Sequence, residues 1–303
     1  GERDEMSLPR VLSIQSHTVH GYVGNKSAVF PLQLLGFEVD PINSVQFSNH
    51  TGYAGGFRGE VLQGAQLTAL VDGLHSNGLL EGYACVLTGY IGSASFLHAV
   101  LDVLRRLRAA SPEVAYFCDP VMGDGGKLYV PAELLAIYRD QVVPLAAVLT
   151  PNGYEAELLT GRSILSEAEA RSACEALHER GPHTVVITSI ALPGRDDELL
   201  MLASRRDGAA SRQWALRLPR LRQDFTGTGD LTAALLLAWM QRLPRAEQLG
   251  EVLERVGASL QAVLAHTQAA GRSEICLIQS QAELREPVVS HRAEPLPQAA
   301  GGS

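Results

Sequence analysis

The chain has 303 residues, of which 46% are hydrophobic and 19% are charged, and its formal net charge is −8. This length and composition predict one large globular α/β domain, or two smaller ones, with a substantial core. The acidic excess argues against a broad surface for nucleic acid or anionic membrane, although a local basic pocket for a phosphate stays compatible with it.

Short β-branched apolar segments alternate with amphipathic segments along the chain. The apolar segments predict strands at residues 11–14, 84–87, 114–118, 147–149 and 184–187. Apolar residues at helical spacing predict helices at residues 96–107, 131–138, 166–180 and 231–240. The runs 198–203 and 213–218, joined by polar residues 204–212, predict a late antiparallel hairpin. The fold class is therefore α/β, with a single doubly wound, mostly parallel sheet flanked by helices.

The sequence has no internal repeat and no clear linker within residues 10–285, which predicts one domain over that range. Residues 1–9 are predicted to be a flexible N-terminal end, and residues 286–303, rich in Pro, Ala and Gly, a loose C-terminal tail. Four scattered cysteines without CxxC pairing fit buried thiols in a reducing compartment. No signal-peptide core precedes Arg10, and the apolar stretch 231–240 is too short to span a bilayer, so we expect a cytoplasmic protein.

The segment Gly227-Thr228-Gly229-Asp230 leads directly into the apolar helix that follows it. Two glycines let the backbone approach an anion, and the first amides of a helix point at it with the macrodipole behind them. Asp230 is unexpected beside a phosphate site unless it orients and deprotonates a hydroxyl that attacks the phosphate. The alternative is that Asp230 is only a favourable acid at a helix start.

Two other nucleotide motifs are excluded by their spacing. Residues 21–27 (GYVGNKS) resemble a P-loop, but the glycines are too close together and Asn25 separates Gly24 from the lysine. The GTGD segment lacks the third glycine of a dinucleotide fingerprint, because Thr232 occupies that place. A Rossmann dehydrogenase is therefore disfavoured.

Polar residues collect at the carboxyl end of each predicted strand, which is the ligand-binding edge of an open parallel sheet. Taken singly, each has an ordinary interpretation as a strand end or helix cap. Together with the glycine anion site, they favour a shared pocket. The residues are Ser16, Thr88, Tyr90, Asp119, Thr150, Asn152, Thr188 and Ser189.

Acidic residues in this set predict a cation site. Asp119 and Asp124 follow a buried strand, five residues apart, where they suit Mg²⁺ bound directly or through water. Asn152 and Glu155 lie one helical turn apart and can address the same metal-phosphate assembly. The alternatives are loop-capping acids for the first pair and a capping box for the second.

Several separate segments together resemble the pyridoxal kinases of the ribokinase-like superfamily. The resemblance extends through most of residues 10–280 and is carried by RVLSIQS (10–16), GYVGN (21–25), NSVQFSNHTGY (43–53), LTGY (87–90), CDP (118–120), TPN (150–152) and GTGD (227–230). It implies phosphorylation of the 5′-hydroxyl of pyridoxal by ATP in vitamin B6 salvage. It further implies Mg²⁺, a monovalent cation (K⁺ or Na⁺) and a homodimer.

The resemblance also implies roles for individual residues. Asp230 would be the base, beside the anion site Gly227-Thr228-Gly229, and Ser16, Val23, Thr51 and Tyr90 would surround the pyridine ring. The implied ATP positions are Asp119, Asn152, Glu155, Thr188, Ser189, Leu221, Arg222, Gln223 and Thr228. The implied metal positions are Asp119, Asp124, Glu155, Thr150 and Thr188, of which the two threonines would help to place the monovalent cation.

The chain departs from the family pattern in two loops. Residues 124–129 form a shorter segment than the phosphate-covering loop of animal members. After Tyr53 the chain reads AGGFRG (54–59), a stretch in which relatives tend to carry a bulky aromatic and a basic residue. Two alternative functions stay open. A hydroxymethylpyrimidine kinase of the same superfamily would be expected to carry Cys at position 230, and a catalytically silent vitamin- or nucleotide-binding regulator would not need the intact acids.

Overall fold

Twelve strands are present in the computed structural model, which describes residues 9–208 and 210–297. In chain order they are β1 (Arg10–Thr18), β2 (Glu38–Phe47), β3 (Gly59–Val61), β4 (Tyr83–Thr88), β5 (Ala115–Cys118), β6 (Gly123–Asp124), β7 (Lys127–Leu128), β8 (Val148–Leu149), β9 (Thr184–Ile190), β10 (Glu198–Asp207), β11 (Ala210–Pro219) and β12 (Glu294–Leu296).

Ten of these strands form one sheet, in the order β12-β11-β10-β9-β8-β5-β4-β1-β2-β3. The six strands from β9 to β2 in this order are parallel, whereas β10, β11, β12 and β3 add antiparallel edges. The short strands β6 and β7 pair separately as a hairpin after β5. The carboxyl ends of the six parallel strands therefore meet at one edge of the sheet.

Helices cover both faces of this sheet. They are α1 (Asn25–Leu34), α2 (Gly64–Ser76), α3 (Ala94–Ala110), α4 (Glu133–Ile137), α5 (Gly153–Thr160), α6 (Glu167–His178), α7 (Thr228–Arg242), α8 (Leu249–Ala269) and α9 (Gln281–Arg285).

Each face of the sheet has its own hydrophobic core. Leu12 and Ile14 of β1 face the core shared with α2 to α6, whereas Val11 faces the core shared with α1, α7, α8 and α9. This division follows from the period-two alternation of side chains along a strand. Nine consecutive residues of α7, from Leu231 to Trp239, are buried, because this helix packs against the sheet with α1 and α8 beside it. Its apolar character on every side reflects that position.

The predicted sheet and hairpin are confirmed. The predicted helix at 166–180 is α6, and Ser166 caps it by accepting a hydrogen bond from the backbone N of Glu169 at 3.2 Å. Several elements were not predicted, among them β2, α1, α2 and α8. The joining segment of the hairpin is also much shorter than residues 204–212, because Ser204 to Asp207 and Ala210 to Arg212 belong to the paired strands.

The C-terminal segment differs from the predicted loose tail. Residues 294–296 form β12 and pair antiparallel with residues 213–215 of β11. The backbone groups of β11 gain hydrogen-bond partners from this added strand, a tertiary effect that composition does not reveal. The other end predicted to be flexible, residues 1–9, lies outside the described residues except for Pro9.

All four cysteines are buried and free, as expected for reduced thiols. None of the helices in the described part of the chain combines the length and the hydropathy needed to cross a membrane.

The buried position of α7 gives a first testable expectation. Leu235→Ala, at a residue with 0% exposure, should lower the free energy of unfolding by about 2–5 kcal/mol, because it removes packed methyl groups and leaves a cavity. Leu70→Ala is the matched control, since Leu70 in α2 is 53% exposed. Urea denaturation of both variants measures the difference, and equal losses would contradict the assigned packing.

Candidate active site

Asp230 lies in the first turn of α7, at the carboxyl edge of the sheet. The residue that caps this helix is Gly227, whose φ is 93°, and a Cβ there would lie 2.0 Å from the carbonyl oxygen of Tyr22. Glycine is therefore required by both the backbone angle and the close approach. The first amides of α7 have no acceptor within the helix, which makes this turn suitable for an anion.

The Asp230 carboxylate is held by the loop that follows β1. Its Oδ2 accepts a hydrogen bond of 2.7 Å from the backbone N of Gly24. Burial raises the pKa of Asp230 to about 6, and this hydrogen bond opposes the rise. A half-buried carboxylate with one fixed hydrogen bond and a pKa near neutrality has the properties of a general base.

Gly24 connects Asp230 to the end of β1. A Cβ at Gly24 would lie 2.1 Å from the backbone oxygen of Ser16, so only glycine allows the two segments to touch. Beside it, Asn25 is buried and ties neighbouring strands together. Its Nδ2 donates to the backbone oxygen of Ile42 at 2.9 Å, and its Oδ1 accepts from the hydroxyl of Ser13 at 2.8 Å.

Sequence reasoning assigned no role to Gly24 or Asn25. Residues 21–27 are excluded as a nucleotide P-loop, and GYVGN (21–25) contributes to the family resemblance, but the structure directs the Gly24 amide to Asp230. The available signal was a glycine directly before a buried polar residue and just after a predicted strand. A partner 206 residues away in the chain is not visible in that signal.

A second acid, Asp119, follows β5 and is buried. Burial first, and then the negative charges of Glu155 and Asp230, hold the pKa of Asp119 well above its ordinary value. Burial likewise raises the pKa of Glu155 to about 7. Within the described residues, none of the strongest influences on these three carboxyl groups comes from a Lys or Arg side chain. The site therefore concentrates negative charge that a cation would neutralise.

Glu155 is engaged by backbone amides. Its Oε1 accepts from the backbone N of Met122 at 2.8 Å and of Gly123 at 3.3 Å, and its Oε2 accepts from the backbone N of Asn152 at 2.9 Å. Asn152 Oδ1 accepts from the backbone N of Glu155 at 2.8 Å, which completes the capping box considered as the alternative. Glu155 thus fixes the Met122–Gly123 turn beside Asp119.

Asp124 lies on the hairpin β6–β7, is exposed, and accepts a hydrogen bond from the backbone N of Gly125 at 2.7 Å. Its charge contributes to the raised pKa values of both Glu155 and Tyr129. Burial is the main cause at Tyr129, and Asp224 adds to it. The charges of Asp124, Glu155 and Asp224 all act on Tyr129, which directly follows the hairpin.

The two threonines predicted near a monovalent cation lie at neighbouring strand ends. Thr150 is buried and its hydroxyl donates to the backbone oxygen of Cys118, whereas the half-buried Thr188 donates to that of Pro151. Both distances are 3.4 Å. Ser189 and Thr228 are half-buried near the same edge.

Residues 221–223 make their side-chain contacts elsewhere. Arg222 forms an ion pair of 3.3 Å with Asp197, in which both side chains are almost fully exposed, and Gln223 donates to the backbone oxygen of Arg272. Leu221 is half-buried and packs against the core that contains α7 and α8. These contacts do not bring the three residues onto the acids.

The predicted ring-binding residues lie in β1, in the loop after it, in the loop between β2 and β3, and directly after β4. Ser16 is buried against Gly24, Val23 is half-buried one residue earlier, and Tyr90 is half-buried after β4. Thr51 is exposed on the loop between β2 and β3. In the described ranges, no three His, Cys, Asp or Glu side chains converge closely enough to form a metal site on their own.

A parallel sheet with this edge, an anion-binding helix start and an aspartate in its first turn define a small-molecule kinase of the ribokinase-like class. The profile of the phosphomethylpyrimidine kinase family matches residues 75–274. Among curated proteins, pyridoxal kinase of Arabidopsis thaliana is 54% identical over 297 residues, covering 94% of each chain. Pyridoxal kinase of Sus scrofa is 46% identical, covering 92% of this chain and 93% of the relative. The chain belongs to the pyridoxal kinase family.

Solved structures agree with this assignment. Pyridoxal kinase from Leishmania donovani in complex with ADP and pyridoxamine has a TM-score of 0.89 and 36% sequence identity, covering 95% of this chain and 99% of the other. The complex of the same kinase with ADP and pyridoxine gives the same values.

The raised pKa values predict an unusual pH dependence of stability. A carboxyl with a raised pKa binds a proton in the native state at pH values where the unfolded chain has lost it. Without Mg²⁺ and ATP, the free energy of unfolding should therefore fall as pH rises from about 5 to 8, through the pKa values of about 6 for Asp230 and about 7 for Glu155.

Asp119→Asn should make this fall smaller, because it removes a buried carboxyl whose pKa is held well above its ordinary value by burial and by Glu155 and Asp230. Asp140→Asn is the control. Arg139 holds the pKa of the exposed Asp140 below its ordinary value, so Asp140 does not change the dependence of stability on pH in this range. Urea denaturation at several pH values measures both. A stability that stays level or rises over this range would refute the assigned electrostatics.

Proposed function

We propose that this chain transfers the γ-phosphoryl group of ATP to the 5′-hydroxyl of pyridoxal, with Asp230 accepting the hydroxyl proton. The observation that carries the mechanism is the position of Asp230, which is fixed by Gly24 beside the amides at the start of α7. Membership of the pyridoxal kinase family supports the substrate, and the related complexes with ADP and vitamers support ATP as the donor.

In-line phosphoryl transfer needs positioning and charge stabilisation more than covalent chemistry. The backbone amides of Gly227, Thr228 and Gly229 supply donors for the phosphate oxygens at the positive end of the α7 dipole. Asp230 removes the proton as the bond to phosphorus forms. A late proton transfer is sufficient, because the transition state is loose and needs little nucleophile activation.

The vitamer occupies the side of Asp230 lined by Ser16, Val23 and Tyr90, with Thr51 closing over it from the loop between β2 and β3. Ser16 and Thr51 supply hydroxyl groups for the polar atoms of the ring, and Val23 and Tyr90 supply apolar contact. The arrangement directs the hydroxymethyl group towards α7. Pyridoxamine and pyridoxine fit the same description, since they differ from pyridoxal only at the 4-substituent.

The acid cluster fits a divalent cation bound together with nucleotide phosphates. Asp119 would hold Mg²⁺ directly or through water, with Asp124 and the buried Glu155 adding negative charge around it. The ion would neutralise charge on the ATP phosphates. The absence of a neighbouring Lys or Arg among the strongest influences on the described acids supports this role. Thr150 and Thr188, at adjacent strand ends, are our candidates for the monovalent cation.

The remaining ATP contacts are assigned to Asn152, Ser189, Thr188 and Thr228 along the same edge, with residues 221–223 at its outer margin. The short hairpin with Asp124 and Tyr129 covers the phosphates. We also propose a homodimer, which the family resemblance supports, and a cytoplasmic location, which the four free, buried thiols support.

A hydroxymethylpyrimidine kinase is the second candidate, since the matching family profile carries the description phosphomethylpyrimidine kinase. The aspartate at position 230, where that activity is expected to use Cys, favours the pyridoxal reaction. The retained Asp119, Asn152, Glu155 and Asp230 argue against a silent regulator. Incubation with ATP, Mg²⁺ and each vitamer or hydroxymethylpyrimidine, with measurement of phosphorylated product, separates the three functions.

Asp230→Asn tests the base. The substitution keeps the size and removes the proton acceptor, so kcat should fall by roughly 10²–10⁴-fold while pyridoxal and ATP still bind. Glu133→Gln is the control, because Glu133 is an exposed acid in the first turn of α4 and lies outside the assigned site. Steady-state kinetics and calorimetric binding measure both. A kcat near that of the wild type would show that Asp230 is not the base and only stabilises the start of the helix.

Thr51→Val tests the ring side. It removes a hydrogen-bonding group at nearly constant volume and should weaken pyridoxal binding by roughly 1–3 kcal/mol without changing the KM for ATP. Thr68→Val, in the exposed middle of α2, is the matched control. A change in the KM for ATP with no change in pyridoxal binding would assign Thr51 to the nucleotide site instead.

A further inference from the structure

Glu274 is a buried acid that has no role in the site described so far. Its side chain is 6% exposed, and the residue belongs to the chain segment that connects α8 to α9. Its partners are two histidines and a tyrosine, His20, His50 and Tyr53, and its Oε2 makes no hydrogen bond within the described residues. Burying a carboxylate costs free energy that an apolar residue would not, so stability alone does not explain its presence.

The carboxylate holds the loop that carries Thr51, residues 48–58, which we term the substrate-side loop. The hydroxyl of Tyr53 donates to Glu274 Oε1 at 2.6 Å, and His50 Nε2 lies 3.5 Å from the same oxygen. The rings of His50 and Tyr53 pack with their centroids 4.6 Å apart. Residues on both sides of Thr51 are therefore attached to one buried group.

The same acid is fixed to the start of α7. Glu274 forms a parallel bridge with Thr226, whose backbone N donates to the oxygen of Ser273 at 2.9 Å. Thr226 directly precedes Gly227, the residue that caps α7. Glu274 thus has its backbone on the anion-binding turn and its carboxylate on the substrate-side loop.

A third segment completes this arrangement. A Cβ at Gly21 would lie 2.5 Å from Glu274 Oε2, so the carboxylate occupies space that any other residue at position 21 would fill. Gly21 begins the short segment that leads to Gly24, the donor to Asp230. The loop after β1, the substrate-side loop and the turn before α7 therefore all meet at Glu274.

We propose that Glu274 is a positioning residue that holds the substrate-side loop, through Tyr53, at a fixed distance from the anion-binding turn of α7. The pocket for the vitamer is then preformed on the side of Thr51, and the hydroxyl to be phosphorylated is presented to Asp230. This role rests on the proposed function, because Thr51 is assigned to the vitamer there. Loss of the contact frees the loop and weakens vitamer binding, since part of the binding energy must then reorder the loop.

Tyr53→Phe is the main test, because it removes the donated hydroxyl and keeps the ring against His50. The KM for pyridoxal should rise roughly 10- to 150-fold, the range expected for a lost hydrogen bond to a charged acceptor. The kcat at saturating pyridoxal and the KM for ATP should stay within about twofold of the wild type. Equal changes in both KM values, or a fall in kcat alone, would overturn the proposal.

Tyr83→Phe is the matched control. The Tyr83 hydroxyl donates to Asp40 Oδ2 at 2.7 Å, which is the same kind of tyrosine–carboxylate contact. Tyr83 pairs with Arg10 at the start of β1, so this contact lies at the edge of the sheet opposite the site. Its kinetic constants should not change. The KM for pyridoxal of Glu274→Gln should lie between the values of the wild type and Glu274→Ala, because the amide oxygen of the glutamine still accepts a hydrogen bond from Tyr53. Adding Tyr53→Phe to Glu274→Ala should cause no further rise in the KM for pyridoxal.

Limited trypsin digestion gives a reading that does not depend on turnover. Arg58 is exposed at the end of the substrate-side loop, where its backbone oxygen accepts from the backbone N of Ser48 at 2.8 Å. Cleavage after Arg58 should be faster in Tyr53→Phe than in the wild type or Tyr83→Phe, and unchanged cleavage would overturn the proposal. If the wild type phosphorylates no vitamer, the proposed function fails, whereas this digestion still tests the Tyr53–Glu274 contact.

Discussion

The hydrogen bond from the Gly24 amide to Asp230 is the interaction on which the site depends. It joins the loop after β1, the first strand of the chain, to the first turn of α7, which lies 206 residues further along the chain. Two close approaches make it feasible, because Gly24 contacts the backbone of Ser16 and Gly227 contacts that of Tyr22 without a Cβ between them. The carboxylate, the anion-binding amides and the ring-side residues are therefore placed by backbone packing rather than by flexible side chains.

The buried acids give the site a second constraint. Glu155 and Asp230 act electrostatically on the buried Asp119, and burial raises the pKa of all three acids. Three backbone amides stabilise Glu155, whereas the strongest influences on Asp119 within the described residues are burial and other carboxylates. The free protein keeps this charge density at a cost in stability, and a metal-nucleotide complex would relieve it. Such a trade between stability and function is common at sites that bind cations.

Tertiary pairing explains the main differences between the predicted and observed elements. The strand β2 contains Glu38, Asp40, Pro41, Asn43 and Gln46, which lack clean alternation, yet β1 pairs with it along its length. The composition around residues 294–296 predicts an unstructured tail, but these residues pair with the edge strand β11 and form β12. The helix α6 was located within two residues because Ser166 is a cap with a local partner. Local signals were sufficient where the partner lies within one helical turn.

The sequence by itself determined the α/β class, the antiparallel hairpin, the Gly227-Thr228-Gly229-Asp230 helix start and the polar strand ends, because periodicity, capping and glycine spacing are local properties of the chain. It also carried the resemblance that the family comparisons bear out. The tertiary structure decided that Gly24 holds Asp230, that Glu155 binds the Met122–Gly123 turn, and that Glu274 joins Tyr53 to Thr226. Each of these contacts joins residues far apart in the chain, and only packing of the two layers of helices on the sheet brings them within hydrogen-bond distance.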